Sequence, residues 1–226
     1  MSSVDPEAAT LEVLYGKRFS DTCAYRKKVW RILIPHFFQR YIQKDARVLD
    51  LGCGYGEFIN QVDAIEKFGL DLNPESGAHL DPAVKWLQCR STDDWGIPAD
   101  SLDVVFTSNF FEHLRNKEDL ELTIDRVIKH LKPGGRLIAM GPNINRVHGA
   151  YWDFWDHHLP LTELSLAEVL EMKCLIVENK VKSFLPYTMV GKRPVPLVFV
   201  KAYLKLPMLW KWFGKQFLVV ASKPNA

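Results

Sequence analysis

The chain of 226 residues has few cysteines and no CxxC pair. Cys23, Cys53, Cys89 and Cys174 are scattered, which excludes a zinc ribbon and a thioredoxin motif and suits a reducing cytosol. No uninterrupted apolar run reaches the length of a membrane span, and the polar start of the chain has no apolar core. We therefore expect a cytoplasmic protein without a signal peptide or a membrane-spanning helix.

Acidic residues are missing from the last part of the chain. Nine of the 29 basic residues and none of the 27 acidic residues lie from Lys180 onward, although the net charge is only +2. A basic C-terminal region therefore follows an acidic body.

Residues 195–215 of this basic region predict an amphipathic helix that is broken at Pro207. At about 100° per residue, its apolar side chains share one side and its lysines the other. The simplest interpretation is a helix that covers the sheet. Two alternatives are contact with an anionic membrane surface and attraction of a phosphorylated acceptor. The apolar set is Phe199, Tyr203, Leu206, Trp210 and Phe213, and the basic set is Lys201, Lys205, Lys211 and Lys215.

Strands and helices alternate from Arg47 to Ala221, which predicts a doubly wound α/β fold with a mostly parallel sheet. No repeat or linker is present, so we expect one domain. It would comprise a helical cover (1–45, with helices at 11–41), a cofactor-binding half (46–141) and a substrate-side half (142–226). The predicted strands are 47–51, 66–72, 84–88, 102–108, 136–141, 174–185 and 216–221, and the predicted helices of the α/β region are 57–64, 117–131 and 164–172.

A glycine-rich turn follows the first predicted strand. The strand contains Asp50, and the turn carries Gly52, Gly54 and Gly56. Glycines allow positive φ and let a ligand lie directly against main chain. A dinucleotide motif would place its third glycine where Glu57 stands, and a carboxylate there would repel a pyrophosphate. The turn therefore favours a nucleoside cofactor with an amino-acid end over NAD or FAD.

Further acids follow at the ends of later elements. Asp71 ends the second predicted strand, where an acid can accept hydrogen bonds from ribose hydroxyls. Asp93 and Asp94 precede Trp95, and an acid there can accept from an adenine amino group. Capping of a helix or turn is the alternative explanation for each acid.

Four motifs in this order, over residues 47–140, resemble those of class I S-adenosylmethionine-dependent methyltransferases: VLDLGCGYGEF, GLDLNP, STDDWGIPADSLDVVFTSNFFEHL and LKPGGRLI. The resemblance implies a Rossmann-like, seven-stranded sheet whose last strand is antiparallel, and S-adenosylmethionine as the cofactor. The residues that it implies are Asp50, Gly52, Gly54 and Gly56 at the methionine end, Asp71 and Leu72 at the ribose, Asp93, Asp94 and Trp95 around the adenine, and Asn109 near the methyl group.

The segment after the fifth predicted strand carries the candidates for acceptor chemistry. Residues 151–158 contain two histidines, two acids and four aromatic residues. A hydroxyl acceptor needs its proton removed, which makes His157 and His158 candidate bases. A metal site formed by Asp153, Asp156, His157 and His158 is less favoured, because adjacent residues cannot easily all face one ion, and no metal is expected. Further candidates for the acceptor side are His113, Tyr151, Trp152 and Trp155.

The C-terminal half, with WDHHLPLTELSLAEVLE, FLPYT and the basic tail, loosely resembles bacterial methyltransferases of surface-polysaccharide and glycolipid pathways. This resemblance implies O-methylation of a sugar hydroxyl in a small-molecule or glycan acceptor, phosphorylated or lipid-linked. It also fits a location at the inner membrane face. The alternatives are O- or N-methylation of a small metabolite and an inactive cofactor-binding partner subunit. Nucleic acid is not expected, because Asn109-Phe110-Phe111-Glu112 stands where many base-amino methyltransferases carry N/D-P-P-Y/F.

Overall fold

The computed structural model describes residues 23–187 and 195–225, and its centre is a seven-stranded sheet. The strands are β1 (Arg47–Leu51), β2 (Glu66–Asp71), β3 (Val84–Gln88), β4 (Leu102–Ser108), β5 (Leu131–Pro142), β6 (Ile176–Val181) and β7 (Gln216–Ser222). Their order in the sheet is β3-β2-β1-β4-β5-β7-β6. β1 to β5 pair in parallel, whereas β7 is antiparallel to both β5 and β6. The expected mostly parallel sheet with an antiparallel last strand is confirmed.

Helices cover both faces of the sheet. The α-helices are α1 (Cys23–His36), α2 (Ser76–His79), α3 (Lys117–His130), α4 (Ile144–Val147), α5 (Glu163–Met172), α6 (Leu197–Lys205) and α7 (Pro207–Phe213), and 3-10 helices span Phe38–Tyr41, Phe111–His113 and His148–Asp153. The predicted helices at 117–131 and 164–172 are confirmed as α3 and α5. Part of the predicted 11–41 helical region lies outside the described residues.

Two apolar clusters form the core, one on each face of the sheet. Successive residues of a strand point to opposite faces, so Val48 joins the cluster under α1 and α6 while Leu49 joins the cluster under α3 and α5. Strands buried on both faces are nearly continuous apolar runs, as in β4. This alternation fixes the register of the central strands. Because these strands are parallel, the loops that follow them all lie at the carboxyl edge of the sheet.

The sheet order reverses between β1 and β4, which defines the place where a ligand binds in an open α/β sheet. The chain proceeds from β1 outward to β2 and β3, then returns to the other side of β1 as β4. At such a switch point the loops after the two central strands separate and leave a crevice at their carboxyl ends. The glycine turn after β1 and the segment after β4 therefore lie side by side.

Two predicted elements, the helix at 57–64 and the start of the strand at 174–185, are wrong for local reasons. Residues 57–64 form successive turns rather than a helix, since Asn60 donates to Gly56 at i−4 but Gln61 donates to Phe58 at i−3. The sixth strand does not begin at Cys174, which has a left-handed φ of 64° and ends the turn after α5.

The predicted amphipathic region is two helices, α6 and α7, with Pro207 at the start of the second. Tyr203 and Trp210 pack inward, as predicted. The prediction that Phe199, Leu206 and Phe213 share that side is wrong, because all three side chains are exposed. The break at Pro207 gives each helix its own axis, so one helical wheel cannot describe both.

No helix within the described ranges is long and apolar enough to cross a membrane.

Candidate functional site

The glycine turn after β1 adopts a conformation that only glycine accommodates easily. Gly52, Gly54 and Gly56 have φ values of 73°, 51° and 72°. The backbone N–H of Gly52 donates to the carbonyl of Leu70 over 2.8 Å and ties the turn to β2. A Cβ on Gly52 would lie 2.6 Å from ring atoms of Phe110. The turn therefore packs directly against the segment that follows β4.

Three carboxylates surround this turn. Asp50 and Asp71 are buried, and Asp71 accepts the backbone N–H of Gly54 over 2.8 Å. Burial raises the pKa of Asp50 well above its usual range, and the nearby charges of Glu57 and Asp71 add to the rise. Burial also raises the pKa of Asp71. Glu57 forms an ion pair with Arg26 at 3.1 Å.

These three carboxylates suit a ligand with positive charge, such as the ammonium of a methionine moiety and a sulfonium. Buried carboxylates that repel one another gain most from a cationic ligand, because its charge offsets both the burial and the mutual repulsion. A pyrophosphate would add negative charge to the same place. The residues expected to hold the methionine end, Asp50, Gly52, Gly54 and Gly56, thus lie in an environment suited to S-adenosylmethionine.

The residues expected at the ribose and the methyl group reach the same edge of the sheet. Asp71 ends β2, and half-buried Leu72 follows it directly. Asn109 follows β4 with a left-handed φ of 52°, and its backbone N–H donates to Met140 over 2.8 Å. Asparagine tolerates this conformation better than most residues do.

The three residues expected around the adenine separate into two groups. Asp93 and Asp94 are exposed, and each accepts a backbone N–H bond within its own turn. The Trp95 side chain is buried in the core, where its indole donates to the Ser91 carbonyl over 3.1 Å and stacks on His130. The Trp95 ring is therefore packed within the protein, and the placement of Asp93, Asp94 and Trp95 around the adenine stays a prediction.

A histidine–carboxylate pair lies beyond β4. Nδ1 of His113 is 3.0 Å from the backbone oxygen of Asp156 and 3.2 Å from its Oδ2. Both oxygens can only accept, so Nδ1 carries the proton and Nε2 is free to accept one. Burial lowers the pKa of His113, but the Asp156 hydrogen bond and the charges of Glu112 and Asp156 outweigh burial, so the pKa is raised.

Glu112 is a buried carboxylate beside this pair. Burial raises its pKa to about 7, against the opposing charge of His113. Its backbone oxygen accepts the N–H groups of His158 and Leu159, which joins the segment after β4 to the segment after β5. We did not predict a role for Glu112 or the pairing of Asp156 with His113. The sequence does place an acid, Glu112, beside a histidine directly after a buried strand, and this pattern could have indicated a role for Glu112.

The two histidines predicted as candidate bases have different environments. His157 is buried, stacked on Phe154 at 4.9 Å and edge-on to His113 at 5.0 Å between ring centroids. His158 has an exposed side chain. The structure therefore brings His157, but not the side chain of His158, into the cluster around His113.

The aromatic residues expected on the acceptor side differ in the same way. Tyr151 is fully buried next to His157, and its hydroxyl has no hydrogen-bond partner. Burial raises the pKa of this hydroxyl, and the charge of Glu112 raises it further. Trp152 packs edge-on against Tyr151 but is largely exposed, and Trp155 is 88% exposed.

One group among the described residues has the donors for a metal ion. Glu112, His113 and His157 each offer a ligand atom, and these atoms lie within 4.8 Å of one another. Two histidines and a carboxylate are a known zinc set. The group shares only His157 with the set that the sequence made less favoured, since Asp153, Asp156 and His158 take no part in it.

The comparisons with known proteins agree with this geometry. The model of the family described as "Methyltransferase domain" matches residues 24–171. The ribosomal protein L11 methyltransferase of Paraburkholderia phymatum is 29% identical over 143 residues, which cover 61% of this chain and 44% of that protein. The match therefore spans less than half the length of that curated relative.

Solved structures share the fold at low identity. A chain in the complex between the Haloferax volcanii Trm112 methyltransferase activator and a methyltransferase has a TM-score of 0.69 at 18% identity, with 99% of this chain and 100% of that chain covered. A SAM-dependent methyltransferase from Archaeoglobus fulgidus has a TM-score of 0.62 at 18% identity, with 88% and 94% covered. At such identities the likeness establishes the fold alone.

The family match extends over the glycine turn, Asp71, the segment after β4 and most of the segment after β5. The chain belongs to the methyltransferase domain family, and its fold is shared by SAM-dependent methyltransferases.

Proposed function

We propose that this methyltransferase O-methylates a hydroxyl group on a sugar ring of a small-molecule or glycan precursor. The observation that carries the proposal is the His113–Asp156 pair, a half-buried imidazole whose Nδ1 is held by a carboxylate and a backbone oxygen. An alcohol must lose its proton during methyl transfer, and a histidine oriented in this way is suited to accept it.

When bound, S-adenosylmethionine supplies a methyl group on a sulfonium, and the displaced electron pair remains on a neutral thioether. Asp50, Asp71 and the glycine turn would hold and orient the cofactor beside Asn109. Nε2 of His113 would accept the proton that the acceptor hydroxyl loses on methylation. Asp156 then stabilises the imidazolium, as a carboxylate does for a catalytic histidine.

We propose His113 as the base in preference to His157 and His158. Asp156 lies against His113, whereas aromatic rings enclose His157 and the side chain of His158 is exposed. His157 then serves as a positioning residue that packs against the His113 ring.

The sugar acceptor is supported by the aromatic side chains near this pair. Trp152 and Trp155 leave large flat faces exposed, four residues and one residue before Asp156 in the chain. Such rings offer both an apolar face and an indole N–H, which suit a sugar that carries C–H and O–H groups. A small phenol would use the same faces, so phenols belong in the acceptor test.

A labelled-methyl transfer screen tests the proposal. The panel contains sugar nucleotides, glycolipids, small phenols, phosphoethanolamine and a lysine-rich peptide. We include phosphoethanolamine because a phosphoethanolamine N-methyltransferase from Haemonchus contortus has a similar fold, with a TM-score of 0.61 at 17% identity, 93% of this chain and 59% of that chain covered. We expect transfer to a sugar hydroxyl.

Replacement of the histidines identifies the base in the same assay. We expect His113→Ala to lower kcat by about 10²-fold or more while cofactor affinity is kept. His158→Ala, with its exposed side chain, is the matched control and should keep full activity. Transfer only to the amine substrates would overturn the proposal, and cofactor binding without transfer to any acceptor would favour the inactive partner subunit.

A further inference from the structure

We propose that helices α6 and α7 form a docking surface for an anionic lipid bilayer. This α6–α7 surface consists of the outward side chains of Val198, Phe199, Leu206, Met208, Trp212 and Phe213. The inference goes beyond the proposed function, because it concerns a different surface and does not depend on which acceptor is methylated.

Exposed apolar side chains are concentrated on these two helices. Seven of the fourteen large apolar side chains that are exposed among the described residues lie between Val195 and Phe213. Met208 is 77% exposed and Trp212 is 78% exposed. Scattered exposed apolar residues are ordinary on a protein surface, but a contiguous set of this kind marks an interaction site.

Packing of the fold does not account for the outward residues. The inner side of α6 is already filled by Val200 and Leu204, which belong to the core cluster that includes α1. Trp210 of α7 packs against Phe37 and Phe184, and its indole donates to the backbone oxygen of Tyr203 over 2.9 Å. The two helices are therefore anchored by one side, which leaves the apolar groups on the other side available.

Lysines are placed next to the outward apolar residues. Val198, Ala202 and Leu206 are four residues apart and share a face of α6 and its C-terminal cap. Lys201 and Lys205 each precede a residue of this row, so they flank it, and Lys211 precedes Trp212 in α7 in the same way. Long lysine side chains can reach lipid headgroups while aromatic and aliphatic neighbours enter the acyl boundary.

The charge distribution selects an anionic bilayer over a protein partner. No acidic residue lies between Lys180 and the end of the given sequence, so nothing on these helices offsets their lysines. The cores of protein interfaces are depleted in lysine, whereas membrane-surface helices combine lysine with tryptophan, phenylalanine and leucine. Each lysine near an anionic surface adds to the attraction.

The α6–α7 surface also adjoins the acceptor side of the site. Arg146, in the segment after β5, donates to the backbone oxygen of Lys211 over 2.7 Å. The N–H of Asn143, just after β5, donates to the backbone oxygen of Lys215 over 2.9 Å. A protein docked through α6 and α7 would therefore hold the acceptor segment close to the lipid headgroups.

Vesicle sedimentation of the whole chain tests this inference. We expect the protein to sediment with vesicles of phosphatidylglycerol and phosphatidylcholine, and at least about tenfold less with phosphatidylcholine alone. Met208→Ser/Trp212→Ser should abolish most of this binding because it removes the inserted groups. Lys205→Gln/Lys211→Gln should weaken it at low salt and reduce its salt dependence.

Matched variants separate docking from a general loss of surface character. Ile65→Ser/Met172→Ser changes two similarly exposed apolar residues elsewhere, and Lys44→Gln/Lys117→Gln removes two exposed lysines elsewhere. Both controls should bind like the wild type. The inference would be overturned if the Met208/Trp212 variant bound vesicles as well as the wild type does, or if binding did not respond to anionic lipid. It would also be overturned if the wild type were a dimer that this variant dissociates into monomers. Vesicle binding is measured without methyl transfer, so failure of the docking inference is distinguishable from failure of the proposed function.

Discussion

The imidazole of His113 lies 3.2 Å from the carboxylate of Asp156, although 43 residues separate them in the chain. The two segments that bring them together start at the carboxyl ends of β4 and β5, which are neighbours in the sheet. The backbone oxygen of Glu112 accepts two N–H groups of the Asp156 segment and fixes the approach. The pair is therefore a product of the sheet order rather than of any local motif.

Removal of the Asp156 charge should change the pH profile of methyl transfer. A neutral imidazole is the active form, so activity is lost as the pH falls through the pKa of His113, which lies above its usual value of 6.5. Asp156→Asn should move this acidic limb to lower pH, because the carboxylate no longer stabilises the imidazolium. We expect kcat to fall by about 10²-fold at the same time.

The pH dependence of kcat/KM checks this prediction. Four groups act on His113, and only the first is altered: Asp156, Glu112, Asp71 and the adjacent ring of His157. Asp153→Asn, an exposed acid in the same segment, is the control and should reproduce the wild-type profile. An acidic limb that stays in place in Asp156→Asn would exclude His113 as the base.

Asp50→Asn should stabilise the empty protein and weaken cofactor binding. Because the pKa of Asp50 is raised by burial, its favourable contribution is present at low pH and is lost as the pH rises above the usual aspartate value. Asparagine avoids that loss, so the gain in Tm should be larger at about pH 8 than at about pH 5. The same change removes a charge that attracts the ammonium of the cofactor.

Thermal unfolding with and without S-adenosylhomocysteine measures both effects. The ligand-induced rise in Tm should be smaller for Asp50→Asn than for the wild type. Asp63→Asn, at an exposed site, should change neither quantity. The opposite result would be a Tm difference between Asp50→Asn and the wild type that becomes more unfavourable as the pH rises. It would show that the fold itself needs the Asp50 carboxylate.

Strands were the easiest part of this fold to predict. Val84–Gln88 and Leu102–Ser108 were obtained with their observed bounds, because short runs of β-branched and aromatic residues flanked by turn residues specify strands locally. The helix predicted at 57–64 failed because Asn60 bonds the backbone at His79 and Asp81, a contact across the chain that competes with regular helix geometry.

The candidate site was harder to predict than the sheet. The glycine turn and Asp71 follow from a contiguous motif and a strand end, and the sequence placed them at one edge. The burial of Trp95 depends on its contact with His130, in a helix far along the chain. The position of Asp156 next to His113 depends on the pairing of β4 with β5. Such contacts between distant segments leave no periodic signal.

Metal removal should leave methyl transfer unchanged. Glu112, His113 and His157 could hold an ion, but a base at Nε2 of His113 needs no Lewis acid. We expect full activity after dialysis against EDTA and no metal in stoichiometric amount by mass spectrometry. Loss of activity that Zn²⁺ restores would assign the three residues as ligands instead, because a bound ion would occupy the lone pair that the base requires.

Gly52→Ala should destabilise the protein through Phe110. The residue has a φ of 73°, and a Cβ there would meet the Phe110 ring at 2.6 Å. A left-handed conformation and an overpacked contact together should cost more than about 2 kcal/mol of unfolding free energy. Gly96→Ala is the matched control, because its φ is 66° with nothing within 4 Å, so only the conformational cost of about 1 kcal/mol applies.

Urea unfolding of a double-mutant cycle isolates the contact. If the clash is the main cost, Phe110→Ala should recover most of the stability that Gly52→Ala loses beyond the Gly96→Ala value, and the two changes should be strongly non-additive. The rescued protein should still bind S-adenosylhomocysteine weakly, because the alanine methyl group remains in the cofactor turn. Additive losses would mean that the close approach of the glycine turn to the β4 segment does not limit stability.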